Sequence, residues 1–357
     1  MIRLRASHLV PLAVLALAAG LPAAAAAPAA AASTTYTVTN MGSLGDGGTQ
    51  PEAINASGQV TGFSFTSTVV TTTCAKHKAC SFHPEHAFLW SNGTMTDLGS
   101  LVGADGESEG LGINSSGEVA GLSGTATSGV SNAVLWTGTT MVDLGALAPL
   151  SSGLQSQAGG INDSGQVTGF WVDSTGADHP FLYSNGTMTS LPEPSYATAQ
   201  GARGCLAGDI NNSGLILGQC IDASDTDHSV LWQNGTVTTL SSTLGSLQDV
   251  FYFEMNNNGQ FVGQATTTTG ATVGFLDSNG TVTNLGSFIP FFLNDNDVML
   301  DLTGDIDSGG TVQNLDNLLP DGWDIAVTFG INDNGQIIAK ASVDNDGTYA
   351  GLLLTPN

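Results

Sequence analysis

Positive charge is what this chain most lacks. Of 357 residues, six are Lys or Arg against thirty-one Asp or Glu, for a formal net charge of −25. Two of the six, Arg3 and Arg5, stand at the N-terminus, which leaves Lys76, Lys78, Arg203 and Lys340 for all the rest. So acidic a surface repels phosphate backbones, which are bound by clustered Lys and Arg. Nucleic acid is therefore excluded as a partner, and adhesion to anionic membranes is disfavoured. Aromatic residues are also sparse at 7%, and there are only four cysteines. Neither a phosphate loop nor a dinucleotide fingerprint occurs.

The N-terminus reads as an export signal. Arg3 and Arg5 precede an apolar stretch over 9–21, and an alanine-rich tract with small-x-small cleavage sites follows. Residues 1–32 are assigned to this signal. The stretch is too short and too rich in alanine to span a bilayer well. The mature protein is expected to be secreted and released, with no membrane insertion.

A repeat fills what remains. Ala53-Ile54-Asn55-Ala56-Ser57-Gly58-Gln59-Val60, Gly112-Ile113-Asn114-Ser115-Ser116-Gly117-Glu118-Val119 and Gly160-Ile161-Asn162-Asp163-Ser164-Gly165-Gln166-Val167 are three copies of one unit. Seven copies start near residues 53, 112, 160, 209, 254, 292 and 330, roughly 38 to 59 residues apart, the spacing of propeller blades or solenoid repeats. The copy at Leu293 has lost its glycine.

Each Asn-x-x-Gly reads as a type I turn closed by a glycine with positive φ, which makes a bulged three-residue hairpin. That register sets Ile113 opposite Val119, Ile54 opposite Val60 and Ile161 opposite Val167. A third strand such as Glu85-His86-Ala87-Phe88-Leu89-Trp90 then leads into Asn92-Gly93-Thr94, a two-residue hairpin signal, and a fourth strand. A four-stranded meander apolar on both faces must stack on its neighbours, and radial stacking leaves only short edges exposed.

The last repeat holds three strands, and residues 37–44 parallel the fourth strand at 94–101. The expected fold is an all-β, seven-bladed β-propeller of four-stranded antiparallel blades, one domain over 34–356, its N-terminal strand closing the last blade. The combined repeat, with His86-Ala87-Phe88 intact, resembles the bacterial extracellular HAF-repeat family. The resemblance implies secretion and a β-repeat fold but no activity or ligand.

Length variation concentrates in loops at 65–85, 103–110, 149–159 and 192–207, which parity places on one side of the ring. A rigid scaffold carrying variable loops on one face points to binding there. Cys74 and Cys80 share a loop with His77, His83 and His86. The spacing suits either a disulfide in an exported chain or a zinc site. Cys205 and Cys220 flank the fourth turn. The bulged register offsets them by one residue unless a second irregularity falls at Gly208 or Gly218, and a bond is expected.

Asp209 and Glu254 occupy the same repeat position on the inner strands of adjacent blades. They are candidates for a glycosidase-type acid and nucleophile, or else part of a solvated channel wall. Asp97 and Asp143 are read as hydrogen-bonding within their blades. The segments 222–227 and 344–347 resemble fragments of calcium loops, but neither completes the set of ligands, so calcium stays open and no other cofactor is expected. The sequence thus points to a secreted, monomeric, non-enzymatic binding or scaffold propeller with an unidentified protein or glycan partner. A carbohydrate-active enzyme and a passive surface or matrix component are the alternatives.

Overall fold

The structure is a computed structural model that describes residues 35–45, 47–73, 79–147, 154–343 and 349–357. The export signal lies outside the described residues. Among those residues no helix is long and apolar enough to cross a membrane.

The principal strands pair in seven antiparallel sets of four, numbered here as blades in chain order. In blade 1, Thr49–Ile54, Val60–Phe65, Glu85–Ser91 and Thr94–Asp97 pair consecutively. Blades 2 to 6 begin with inner strands Ser108–Ile113, Gln155–Ile161, Gly204–Ile210, Leu247–Met255 and Phe292–Leu293. Blade 7 is built from Trp323–Ile331, Ile337–Val343 and Tyr349–Pro356, and the strand from the chain's beginning, Tyr36–Asn40, pairs with Tyr349–Pro356 as its fourth member. Blades 3 and 4 are joined into one sheet by a single parallel bridge, Asp178 to Gly204.

The hairpins form in the expected register: Ile54 pairs with Val60, Ile113 with Val119, Ile161 with Val167, Ile210 with Ile216 and Ile331 with Ile337. The Asn-Gly turns carry positive φ at both centres, as at Asn92 (49°) and Gly93 (82°), which a type I′ turn requires. The sixth repeat keeps its turn without glycine because Asp297 takes the left-handed position at φ 62°. Asp and Asn tolerate that region better than other side chains.

Apolar side chains gather in seven clusters, one at each junction between neighbouring blades. Between blades 1 and 2, Ala87 and Leu98 meet Ile113, Val119, Val134 and Trp136. The junction of blades 7 and 1 is equally apolar, with Ile338 and Leu353 against Val60, Phe88 and Trp90. Burying one such side chain stabilises by about 1.5–3 kcal/mol, so no junction is a weak seam. Glycines set the spacing where inner strands converge: a Cβ at Gly160 would sit 2.9 Å from the Gly208 backbone oxygen of the next blade.

A circuit of asparagines closes the ring. The Nδ2 of Asn55 donates to the backbone oxygen of Asn114 at 2.9 Å, and Asn114 donates in turn to Asn162. The relay continues through Asn211, Asn256 and Asn294 to Asn332, which donates back to Asn55 at 2.9 Å. Each Oδ1 accepts the amides two and four residues on, as Asn55 does from Ser57 and Gln59. Asparagine alone among small side chains offers two donors and two acceptor sites in this geometry. The residue that opens each hairpin turn therefore also ties each blade to the next.

Candidate functional site

Six of the seven inner strands carry a register shift just before their final residue. The shifts fall between Pro51 and Ala53, Gly110 and Gly112, Ala158 and Ile161, Ala207 and Ile210, Tyr252 and Glu254, and Thr328 and Gly330. A β-bulge leaves a residue out of the ladder and re-aims its side chain. Here the extra residues include Glu52, Leu111, Asp209, Phe253 and Phe329, and all of them line one cavity of about 310 Å³ on the axis. Lining residues come from the ends of all seven inner strands, immediately before the asparagine circuit, so the cavity lies between that circuit and the loop-bearing face.

The wall is uneven. Blades 2 to 4 contribute Gly112, Gly159, Gly160 and Gly208 with one phenylalanine, Phe170, whereas blades 5 to 7 contribute Phe253, Phe291, Phe292 and Phe329 with one glycine, Gly330. Phe253 and Phe291 stack with ring centroids 4.4 Å apart and planes 9° apart. The carboxylates of Glu52, Asp209 and Glu254 complete the lining, and no Lys, Arg or His belongs to it.

Asp209 and Glu254 thus share one cavity. Asp209 accepts from the Ile210 amide at 2.8 Å and from the Met255 amide of the next blade. Glu254 accepts from the Leu293 amide, again across a blade junction. Burial pushes Asp209 up to about 6, although the amide hydrogen bonds pull the other way. Burial also raises Glu254 well above the usual range, and repulsion from Asp209 adds to it. That repulsion acts on both groups, so the two carboxyls titrate as a pair.

Both side chains keep some accessible surface although protein surrounds them on every side. That surface faces the cavity. Glu52, Phe253 and Phe329 were missed from sequence, because a bulge is needed before residues two places ahead of the asparagine-flanking position point inward; Phe291, ahead of the short strand of blade 6, was missed as well.

The other candidates resolve differently. Cys205 and Cys220 lie directly opposite and are bonded, 4.0 Å between their Cα atoms. The irregularity that brings them into register falls between Ala207 and Ile210, at Gly208 and Asp209. Cys80 is disulfide-bonded; Cys74 and His77 lie outside the described residues.

His83 Nδ1 lies 3.0 Å from the Thr66 backbone oxygen, and His86 Nδ1 lies 2.8 Å from Asp97. Asp97 also accepts from the Gly99 amide, and Asp143 is bonded to Asn132 and the Ala146 amide, so both serve their own blades. Among the described residues no group of three or more His, Cys, Asp or Glu is placed to hold a metal ion. Asp222 accepts from the Ser224 and Thr226 amides as an Asx turn, with His228 Nε2 at 3.1 Å; segment 344–347 lies outside the described residues.

Two features escaped the sequence reading altogether. On the loop-bearing side of blade 3, His179 sits 2.7 Å from Glu193 and 3.4 Å from Asp173. Residues 106–110 spell Gly-x-Ser-x-Gly, the pattern of a nucleophile elbow. Ser108 instead opens an inner strand, where it donates to the Gly99 oxygen and accepts from the Ala87 amide. An elbow needs an exposed Ser on a strand-to-helix turn, so Ser108 is structural.

No family model matches the chain, and no curated protein matches it in sequence. Among solved structures it is similar to the beta-propeller domain of the Trilobed protease from Pyrococcus furiosus, at 8% identity over 87% of this chain and 95% of that one, TM-score 0.45. YCF48 from Cyanidioschyzon merolae matches at 10% identity over 89% and 98%, TM-score 0.49. TolB from Acinetobacter baumannii matches at 9% identity over 86% and 65%, TM-score 0.40. At such identities no activity carries over.

Proposed function

We propose that this protein is a secreted, non-enzymatic binding propeller that takes a small ligand into its axial cavity from the loop-bearing face. One observation carries the reading: strand bulges in five of the blades turn Glu52, Leu111, Asp209, Phe253 and Phe329 into the same internal space, where Glu254 and Phe291 join them. Apolar walls with a few convergent polar groups are the usual make-up of small-molecule sites, and about 310 Å³ is at the small end of their range. Secretion rests on the charged and apolar N-terminal run.

The carboxylate pair favours a second reading, a carbohydrate-active hydrolase. A pair that holds one proton between its members supplies both an acid and an ionised partner. The small enclosed space weighs against a polysaccharide chain as substrate. Thermal-shift screening against sugars, amines and polyols, run beside hydrolysis assays, separates the readings. Binding predicts stabilisation by at least one compound with no turnover. Turnover abolished by Asp209→Asn or Glu254→Gln would establish the hydrolase instead.

A further inference from the structure

This inference rests on the axial cavity being a binding site. We infer that its ligand is a compact organic cation, an ammonium group held between the carboxylates of Asp209 and Glu254 and the phenyl groups of Phe253 and Phe291. Three inner strands bring an ionisable group to the cavity, Glu52, Asp209 and Glu254, and all three are acids. The other four bring none: their lining residues are Gly, Leu, Ile, Gln, Phe and, in the bulges, more Gly. An anionic ligand would meet only repulsion there.

A metal ion is the obvious rival cation. Its oxygen ligands must converge to within about 2.0–2.6 Å of one point, and among the described residues no three such groups do. An ammonium group is bulkier and tolerates the wider spacing. The aromatic wall supplies what a metal would not use. Phe253 and Phe291 stack on each other yet keep accessible surface on the cavity side, and aromatic faces attract ammonium ions through their quadrupole. The volume suits a substituted amine and not a polymer.

Protonation should then oppose binding. As pH falls through about 6, Asp209 takes up a proton, and burial together with repulsion from Asp209 favours the protonated form of Glu254 as well. The cavity thereby loses the charge that holds a cation, and Glu52 is the one other titratable group facing it.

Isothermal titration of the full chain with choline and with its neutral isostere 3,3-dimethylbutan-1-ol tests this. Choline is expected to bind at least about tenfold tighter than the alcohol at pH near 7.5. Its affinity should drop several-fold near pH 5, where the alcohol's does not change. Asp209→Asn should weaken choline about tenfold and leave the alcohol unaffected, which also reports an intact fold. Equal binding of the two probes, or no binding of choline, overturns the inference. If choline fails while a neutral sugar or polyol stabilises the protein, the cavity reading survives without the cation. If no compound stabilises it, both fall.

Discussion

Asn332 donates from Nδ2 to the backbone oxygen of Asn55 at 2.9 Å, although 277 residues separate them in the chain. This bond completes the circuit of seven asparagines. It also makes the ends of the ring equivalent to its middle: the link from Asn332 to Asn55 has the same donor, acceptor and flanking contacts as the link from Asn162 to Asn211. Closure therefore depends on the inner strands as well as on the N-terminal strand at the rim.

Asn332→Ala should destabilise the protein by about 2 kcal/mol, because it strands the buried Asn55 oxygen and removes the acceptor of the partly buried Asn334 and Gln336 amides. Asn162→Ala should cost a similar amount. Urea unfolding of both variants checks this. A silent Asn332→Ala beside a damaging Asn162→Ala would mean that the ring is open at that junction.

The disulfide between Cys205 and Cys220 closes a loop of 15 residues and is fully buried. Replacing both cysteines with alanine should cost about 3 kcal/mol on the chain-entropy account. The loss should appear in denaturant melts under oxidising conditions and vanish when both proteins are compared fully reduced.

Asp209 carries a sign that acid titration can read. Burial pushes its carboxyl up to about 6, above its ordinary value of 3.8, so the native state binds the proton more tightly than the unfolded state does. Its contribution is thus most favourable below the unfolded value and is lost as pH rises through about 6. Asp209→Asn should match the wild type near pH 4 and exceed it by about 2–3 kcal/mol above pH 7, one pKa unit being worth about 1.4 kcal/mol. An equal difference at both pH values would show that the carboxyl is not desolvated.

Much of the architecture was legible because a period-two pattern and turn chemistry are local. Ile113 opposite Val119 followed from the position of Gly117, and the pairing of Tyr36–Asn40 with Tyr349–Pro356 followed from a three-stranded final repeat. The bulges were not legible. Only the mismatch between Cys205 and Cys220 hinted at one, at Gly208, and nothing in the other repeats said that the same irregularity recurs. The cavity was missed for the same reason, since Glu52 and Phe329 face inward only where the ladder breaks. The asparagines were read as turn residues; their Nδ2 bonds run to another blade, and no local pattern encodes that.

The claim that the axial cavity is the ligand site is tested most directly by filling it. Leu111 stands in the bulge of blade 2 and lines the cavity, and Leu111→Trp would project a larger apolar side chain into the space without adding charge. Wild type and variant are compared by thermal shift against one panel of sugars, polyols and amines. A bound ligand stabilises in proportion to the logarithm of its saturation. The account predicts stabilisation of the wild type by at least one compound, and loss of that response in Leu111→Trp with the melting temperature of the free protein little changed. A variant that responds like the wild type would place the ligand elsewhere and contradict the account.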